Sequence, residues 1–110
     1  MNEINLDETM CRLLESLEKL RALGEDLAAA EKDYKIEMTK EVFKLKDGGM
    51  PATLINQIIY GLEPVAMLRF KRDVAEAMYK STQEAINVYK LQLRLIESQI
   101  EREYSAARRM

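Results

Sequence analysis

The 110-residue sequence has no histidine and no tryptophan, one cysteine, two prolines and four glycines, and only 6% of it is aromatic. Each shortage excludes something. Without histidine, a metal centre or an acid–base pair would have to be built from carboxylates, so zinc-type ligand sets and hydrolase triads are not expected. The lone thiol, Cys11, cannot staple the fold and suits a reducing compartment. The first ten residues are acidic and polar, and no run of 18 apolar residues occurs. Neither a secretion signal nor a membrane span is therefore expected, and the cytoplasm is the simplest location. Both prolines and three of the four glycines lie between Asp47 and Pro64, so one stretch is built to turn.

What is present is helical. Hydrophobic residues make up 47% and charged residues 33%, a profile of helices packed on helices in one domain over residues 1–110. A long helix is predicted over about 6–47. Its seam falls at Leu6, Met10, Leu13, Leu17, Leu20, Gly24, Leu27, Glu31, Tyr34, Met38, Glu41 and Leu45, the 3.5-residue repeat of a left-handed coiled coil. Asn5 or Asp7 can cap its start, and Gly48 or Gly49 supplies a left-handed residue at its end. Gly24 costs about 1 kcal/mol against Ala, and a break there stays open.

A short connecting helix is predicted over about 51–60, with Pro51 in its first position and a left-handed Gly61 after its last. Leu54, Ile55, Ile58 and Ile59 give it an apolar face to lay across the end of the long helices. The second long helix, about 64–108, has its seam at Val74, Met78, Ala85, Tyr89, Leu93, Ile96, Ile100 and Tyr104. Its mean step is nearer 3.7, so it is not expected to supercoil left-handedly throughout. Around that seam Ile86, Val88, Leu91 and Leu95 wrap the helix in apolar surface, which predicts an interface with further copies or with a partner. The expected fold is all-α and oligomeric: two long antiparallel helices in a coiled-coil-like hairpin with a short connecting helix.

Catalysis finds little support. Glu37/Glu41 and Glu97/Glu101 stand four residues apart with Lys or Arg nearby, the pattern of solvated helix faces. Cys11 reads as a buried or half-buried thiol. Asp47-Gly48-Gly49-Met50 lacks the spacing of a phosphate loop. No catalytic residue, metal, cofactor or small-molecule substrate is expected.

The net charge of −2 is unevenly spread, with three basic and eight acidic side chains in residues 1–31 against nine and seven in residues 32–80. A hairpin gathers Lys40, Lys44, Lys46, Arg69, Lys71 and Arg72 at the turn end, among Phe43, Tyr60 and Phe70. Cations interleaved with rings hold single-stranded nucleic acid without sequence preference, so these cations and Tyr60 are the candidate binding residues. Phe43 and Phe70 can equally be core. The order of parts also allows a helix-turn-helix with Thr53, Asn56 and Gln57 reading bases. A competing class is a protein-interaction module or an inhibitor of a host enzyme or defence complex. It would act without nucleic acid, its acidic Asp7 to Glu31 helix occupying a basic groove in the target.

Four stretches carry a family likeness: Ala30-Glu31-Lys32-Asp33-Tyr34-Lys35, Gly49-Met50-Pro51-Ala52-Thr53-Leu54-Ile55, Leu68-Arg69-Phe70-Lys71-Arg72-Asp73-Val74-Ala75-Glu76 and Leu91-Gln92-Leu93-Arg94-Leu95-Ile96-Glu97. With them the chain resembles small all-helical phage and prophage proteins of Gram-positive bacteria, whose genes often lie near recombination and single-strand-binding functions. The order of elements over residues 30–97 and the basic turn also look like the T4-type phage recombination mediators, helical ring-forming proteins that bind single-stranded DNA while loading a recombinase. Residues 1–31 fall outside the likeness. The resemblance implies a phage origin and a non-enzymatic role in DNA recombination or replication, with single-stranded DNA or a recombination or replication protein as partner.

Overall fold

The structure, a computed structural model, describes residues 2–109. Helix α1 runs Asn2–Asp47, α2 Ala52–Ile58, a 3-10 turn Ile59–Gly61, and α3 Glu63–Arg109. The fold is all-α, two long helices joined by a short one, with no strand among the described residues. The long helices are antiparallel, since the start of α1 groups with the end of α3. No described helix is long and apolar enough to cross a membrane.

Asn5 and Asp7 lie inside α1 and do not cap it. Glu3 is the acidic residue of the first turn, where it favours the positive end of the helix dipole. The other end follows the expectation. Gly49 has φ 83°, the only positive φ among the described residues. Its N–H donates to the Lys46 carbonyl at 3.0 Å, and the Met50 N–H donates to the Leu45 carbonyl at 3.1 Å. That paired closure is a Schellman motif, sealed by Met50 and Leu45 packing on the same core.

Pro51 precedes α2 as its N-cap, with φ −62° and ψ 145°, instead of occupying the first helical position. Its carbonyl accepts from the N–H groups of Leu54 at 3.1 Å and Ile55 at 3.0 Å. Gly61 does not take a left-handed conformation. It closes the 3-10 turn, and the direction changes at extended Leu62, φ −67° and ψ 132°. The tighter turn and one extended residue achieve what a left-handed glycine was expected to do.

The chain forms two compact units, Met1–Ala22 with Lys80–Met110, and Leu23–Tyr79. In the first, α1 turns Leu6, Thr9, Leu13, Ser16 and Leu20 inward, and α3 turns Thr82, Ile86, Tyr89, Leu93, Ile96 and Ile100 inward. In the second, Leu23, Leu27, Ala30, Tyr34, Met38, Val42 and Leu45 of α1 and Val65, Leu68, Arg72, Ala75 and Tyr79 of α3 turn inward. On α3, and on α1 as far as Tyr34, these residues alternate steps of three and four, the left-handed coiled-coil repeat, and two successive steps of four then carry α1 through Met38 to Val42.

Two seam expectations are thereby corrected. On α1 the alternate seam position lies one residue earlier than expected: Thr9, Ser16 and Ala30 replace Met10, Leu17 and Glu31, and buried Leu23 shares the seam with half-buried Gly24, which lies against Tyr79 as expected of a seam position. Small side chains suit closely packed helices, and Met10 and Leu17 are left exposed. On α3 the strict repeat includes Arg72 and Thr82, while Val74, Met78 and Tyr104 are exposed. The mean step of 3.7 came from taking exposed apolar residues as seam.

The core of the second unit is Tyr34, Ile55, Ile59 and Val65, with Met38, Val42, Leu45, Met50, Leu62 and Leu68 packed around it. The connector thus docks through Ile55 of α2 and Ile59 of the 3-10 turn, while Leu54 faces out. Among the described residues of the first unit, Leu13 and Ile86 are the buried apolar side chains, joined by Thr9 and Thr82. No fully buried side-chain nitrogen or oxygen lacks a hydrogen-bond partner among the described residues. Helix α1 does not break at Gly24, where an added Cβ would stand 3.3 Å from the Tyr79 ring.

Candidate nucleic-acid interface

All the candidate binding residues belong to the second unit, and the structure separates them into different surroundings. Arg72 occupies a seam position. Its guanidinium lies 4.8 Å from the centroid of the buried Tyr34 ring, and its Nε and Nη2 donate to Asp73 Oδ1 at 3.1 and 2.8 Å. The hydrogen bond to Asp73 raises its pKa above the ordinary value, helped by the charges of Asp73, Tyr34 and Glu76. Arg72 is therefore a packing residue, because its stem and plane fill the seam that the 3-4 repeat assigns to it.

Lys44 Nζ donates to Glu41 Oε1 at 3.3 Å, one turn back. The lysine is largely exposed, so this pair is worth at most ~1 kcal/mol and leaves the charge available to a phosphate. Lys71 borders a groove of about 300 Å³ whose lining includes Asp26 and Asp33, so its charge sits among carboxylates. The six cations do not form one basic groove.

Two smaller patches remain. Phe43 is 63% exposed. It stands nine residues from Tyr34, about two and a half turns, which puts it on the opposite face of α1. Exposed Lys40 and Lys46 flank it three residues to either side, the spacing of surface neighbours. The second patch pairs exposed Tyr60 with Arg69, whose guanidinium lies 4.8 Å from the ring centroid. Phe70, 70% exposed, stands nine residues from Tyr79 and so lies on the outer face of α3. The alternative that Phe43 and Phe70 are core is excluded by these exposures.

Thr53, Asn56 and Gln57 are exposed on α2, but at seven residues this helix is two turns of connector and not a recognition helix. Cys11 is exposed, against the expectation of a buried or half-buried thiol. Among the described residues no three Cys, Asp or Glu side chains converge as metal ligands. Of the residues expected at an oligomer interface, Val88, Leu91 and Leu95 are exposed, whereas Ile86 is buried against its own unit and cannot meet a second copy.

Sequence reading missed two exposed features of α1. Ile36 joins Phe43 on the basic outer face, and Met10, Leu14 and Leu17 form an outer stripe in the first unit. Ile36 and Phe43 stand seven residues apart, two turns along one face, and Met10, Leu14 and Leu17 follow four- and three-residue spacing, so both are visible once the seam is placed correctly. No family model, curated protein or solved structure was found to match the chain.

Proposed function

We propose that this is a non-enzymatic phage accessory protein of DNA recombination or replication that works in the cytoplasm of its bacterial host. It holds single-stranded DNA at the turn end. The observation that carries the reading is the exposed Phe43 between Lys40 and Lys46, with Tyr60 and Arg69 as a second ring and cation. An exposed ring stacks a base only where the base is unpaired, and each such stack is worth about 1–3 kcal/mol. The cations Lys40, Lys44, Lys46 and Arg69 meet phosphates, each contact contributing about −0.7 to the slope of log affinity against log salt. One such site is weak. Several copies along a strand would multiply it, as an oligomeric accessory protein requires.

The test is binding of a labelled oligothymidine across a salt series. Lys40→Ala and Lys46→Ala should each flatten the slope by about 0.7. Phe43→Ala should weaken binding while leaving the slope unchanged. No binding to single or double strands at ~50 mM salt would overturn the reading, because weak electrostatic binders still register there.

One observation favours a second reading, in which the chain is a protein-interaction module. Met10, Leu14 and Leu17 are exposed on the acidic half of α1, the surface a basic protein groove would take. Reversing Glu15, Glu18, Glu25 or Asp26 to Lys would then abolish capture of the partner and leave oligonucleotides unaffected.

A further inference from the structure

Within the second unit, α3 presents an apolar patch that runs into a groove. Met67, Phe70, Val74 and Met78 are all exposed, and their steps of three, four and four put them on one face of the helix. Val74 and Met78 also line the groove of about 300 Å³ that α3 forms with α1, together with the small side chains of Ala29, Ala30 and Ala75. Asp26 and Asp33 stand on the α1 side of that groove, seven residues or about 10 Å apart along one face, and Lys71 stands on the α3 side. All three are exposed, and none makes an ion pair with a described residue. The groove thus sets two carboxylates against one ammonium beside an apolar surface.

We infer that this groove takes a basic amphipathic helix of a protein partner, laid along α1 and α3 as a third helix. The apolar anchors of a docked helix recur every three or four residues, the spacing at which Phe70, Val74 and Met78 meet them. The alanines leave room for an anchor of leucine size, and the thioether of Met78 adapts to its shape. Two cations on one flank of the partner, two turns apart, meet Asp26 and Asp33.

Charge selects this occupant. An apolar helix without cations would bury part of Asp26 and Asp33 unpaired, which is costly, whereas a cation at each carboxylate completes the site. The same carboxylates repel phosphate, so the groove is no part of the proposed single-strand site and the inference stands independently of it. Lys71 opposes an incoming cation next to Asp33. Its removal therefore helps a basic helix and hinders a phosphate ligand, which distinguishes the two classes of partner.

The probe is a fluorescein-labelled synthetic amphipathic peptide of about 18 residues, with leucines on one face and two arginines two turns apart beside them. Fluorescence anisotropy against the full chain at ~50 mM salt should show saturable binding. Asp33→Arg should raise the dissociation constant about three- to tenfold. The same variant should lower it by a similar factor for a peptide with glutamates in place of the arginines, a reversal that loss of fold cannot produce. Lys71→Ala should tighten the arginine peptide about two- to threefold. Met78→Asp should abolish binding with an unchanged helical circular dichroism spectrum, and Glu15→Lys, in the first unit, should leave binding unchanged. No binding at ~1 mM chain, equal affinity for the arginine and glutamate peptides, weaker binding on Lys71→Ala, or loss on Glu15→Lys but not on Asp33→Arg would each overturn the inference. So would a parent that sediments as a dimer while Met78→Asp sediments as a monomer, because a second copy would then occupy the groove. A chain that binds oligothymidine but not the peptide would sink this inference and spare the proposed function, and one that binds only the peptide would do the reverse.

Discussion

Arg72 offers the sharpest test of how this hairpin is held, because a surface reading and a packing reading of it predict opposite behaviour. Its side chain is 24% exposed and Asp73 54%. Replacing it with Ala removes the contact with the Tyr34 ring, worth ~1 kcal/mol at a site between exposed and desolvated. It also removes the Asp73 pair, worth about 0–1 kcal/mol at this exposure. Two or three largely buried methylenes are lost at about 0.8 kcal/mol each. Helix propensity changes little between Arg and Ala, so the expected loss is about 3 kcal/mol, a large part of a small protein's stability. Arg72→Lys keeps the stem and the charge and should lose about 1 kcal/mol, the share of the planar stack and fork. Urea denaturation followed by circular dichroism measures both. The salt dependence of oligothymidine binding, taken where Arg72→Ala is still folded, should keep its slope. A loss below ~0.5 kcal/mol, or a slope flattened by about 0.7 as for a phosphate contact, would refute the packing role.

Glycine by glycine, the turn should respond differently from a uniform rule. Gly49→Ala should cost about 1 kcal/mol because φ is +83° there, while Gly61→Ala should gain about 0.4–1 kcal/mol, having negative φ and no atom within 4 Å of a new Cβ; thermal melts decide both. Gly24→Ala should not deliver the ~1 kcal/mol its helix position promises, since the Cβ would press on Tyr79 at 3.3 Å; the gain should emerge only beside Tyr79→Leu, as a double-mutant cycle would show. Ile55→Ala should cost about 2–4 kcal/mol in urea denaturation, because it unpins the connector from the Tyr34 and Val65 core.

Fold class was legible because the 3.5-residue repeat and the clustered Pro and Gly leave few alternatives to a hairpin. The phase of the repeat was not. Steps through Met10 and through Thr9 both alternate four and three, and hydropathy favours the wrong one, since a close helix pair takes Thr, Ser and Ala on its inner face. The same bias concealed Arg72 as a seam residue. An arginine reads as surface until a ring such as Tyr34 is seen beneath it. The candidate site was legible in composition, cations with rings at the turn, but not in arrangement. Which cations stand alone depends on side-chain partners such as Asp73 for Arg72 and Glu41 for Lys44, and sequence spacing does not rank those.

Leucine-rich heptads have a weakness, which is that one helix can slide along another by seven residues and meet nearly the same surface. The second unit carries two features that resist such a slide. Tyr79 lies against Gly24, the one inward position of α1 with no side chain, and Arg72 lies flat on Tyr34. Moving α1 by one heptad would bring Leu17 or Glu31 to Tyr79, and Leu27 or Glu41 to Arg72. The ring would lose its recess and the guanidinium its aromatic partner. These two contacts act as notches on a rail, so that the seam has one resting position.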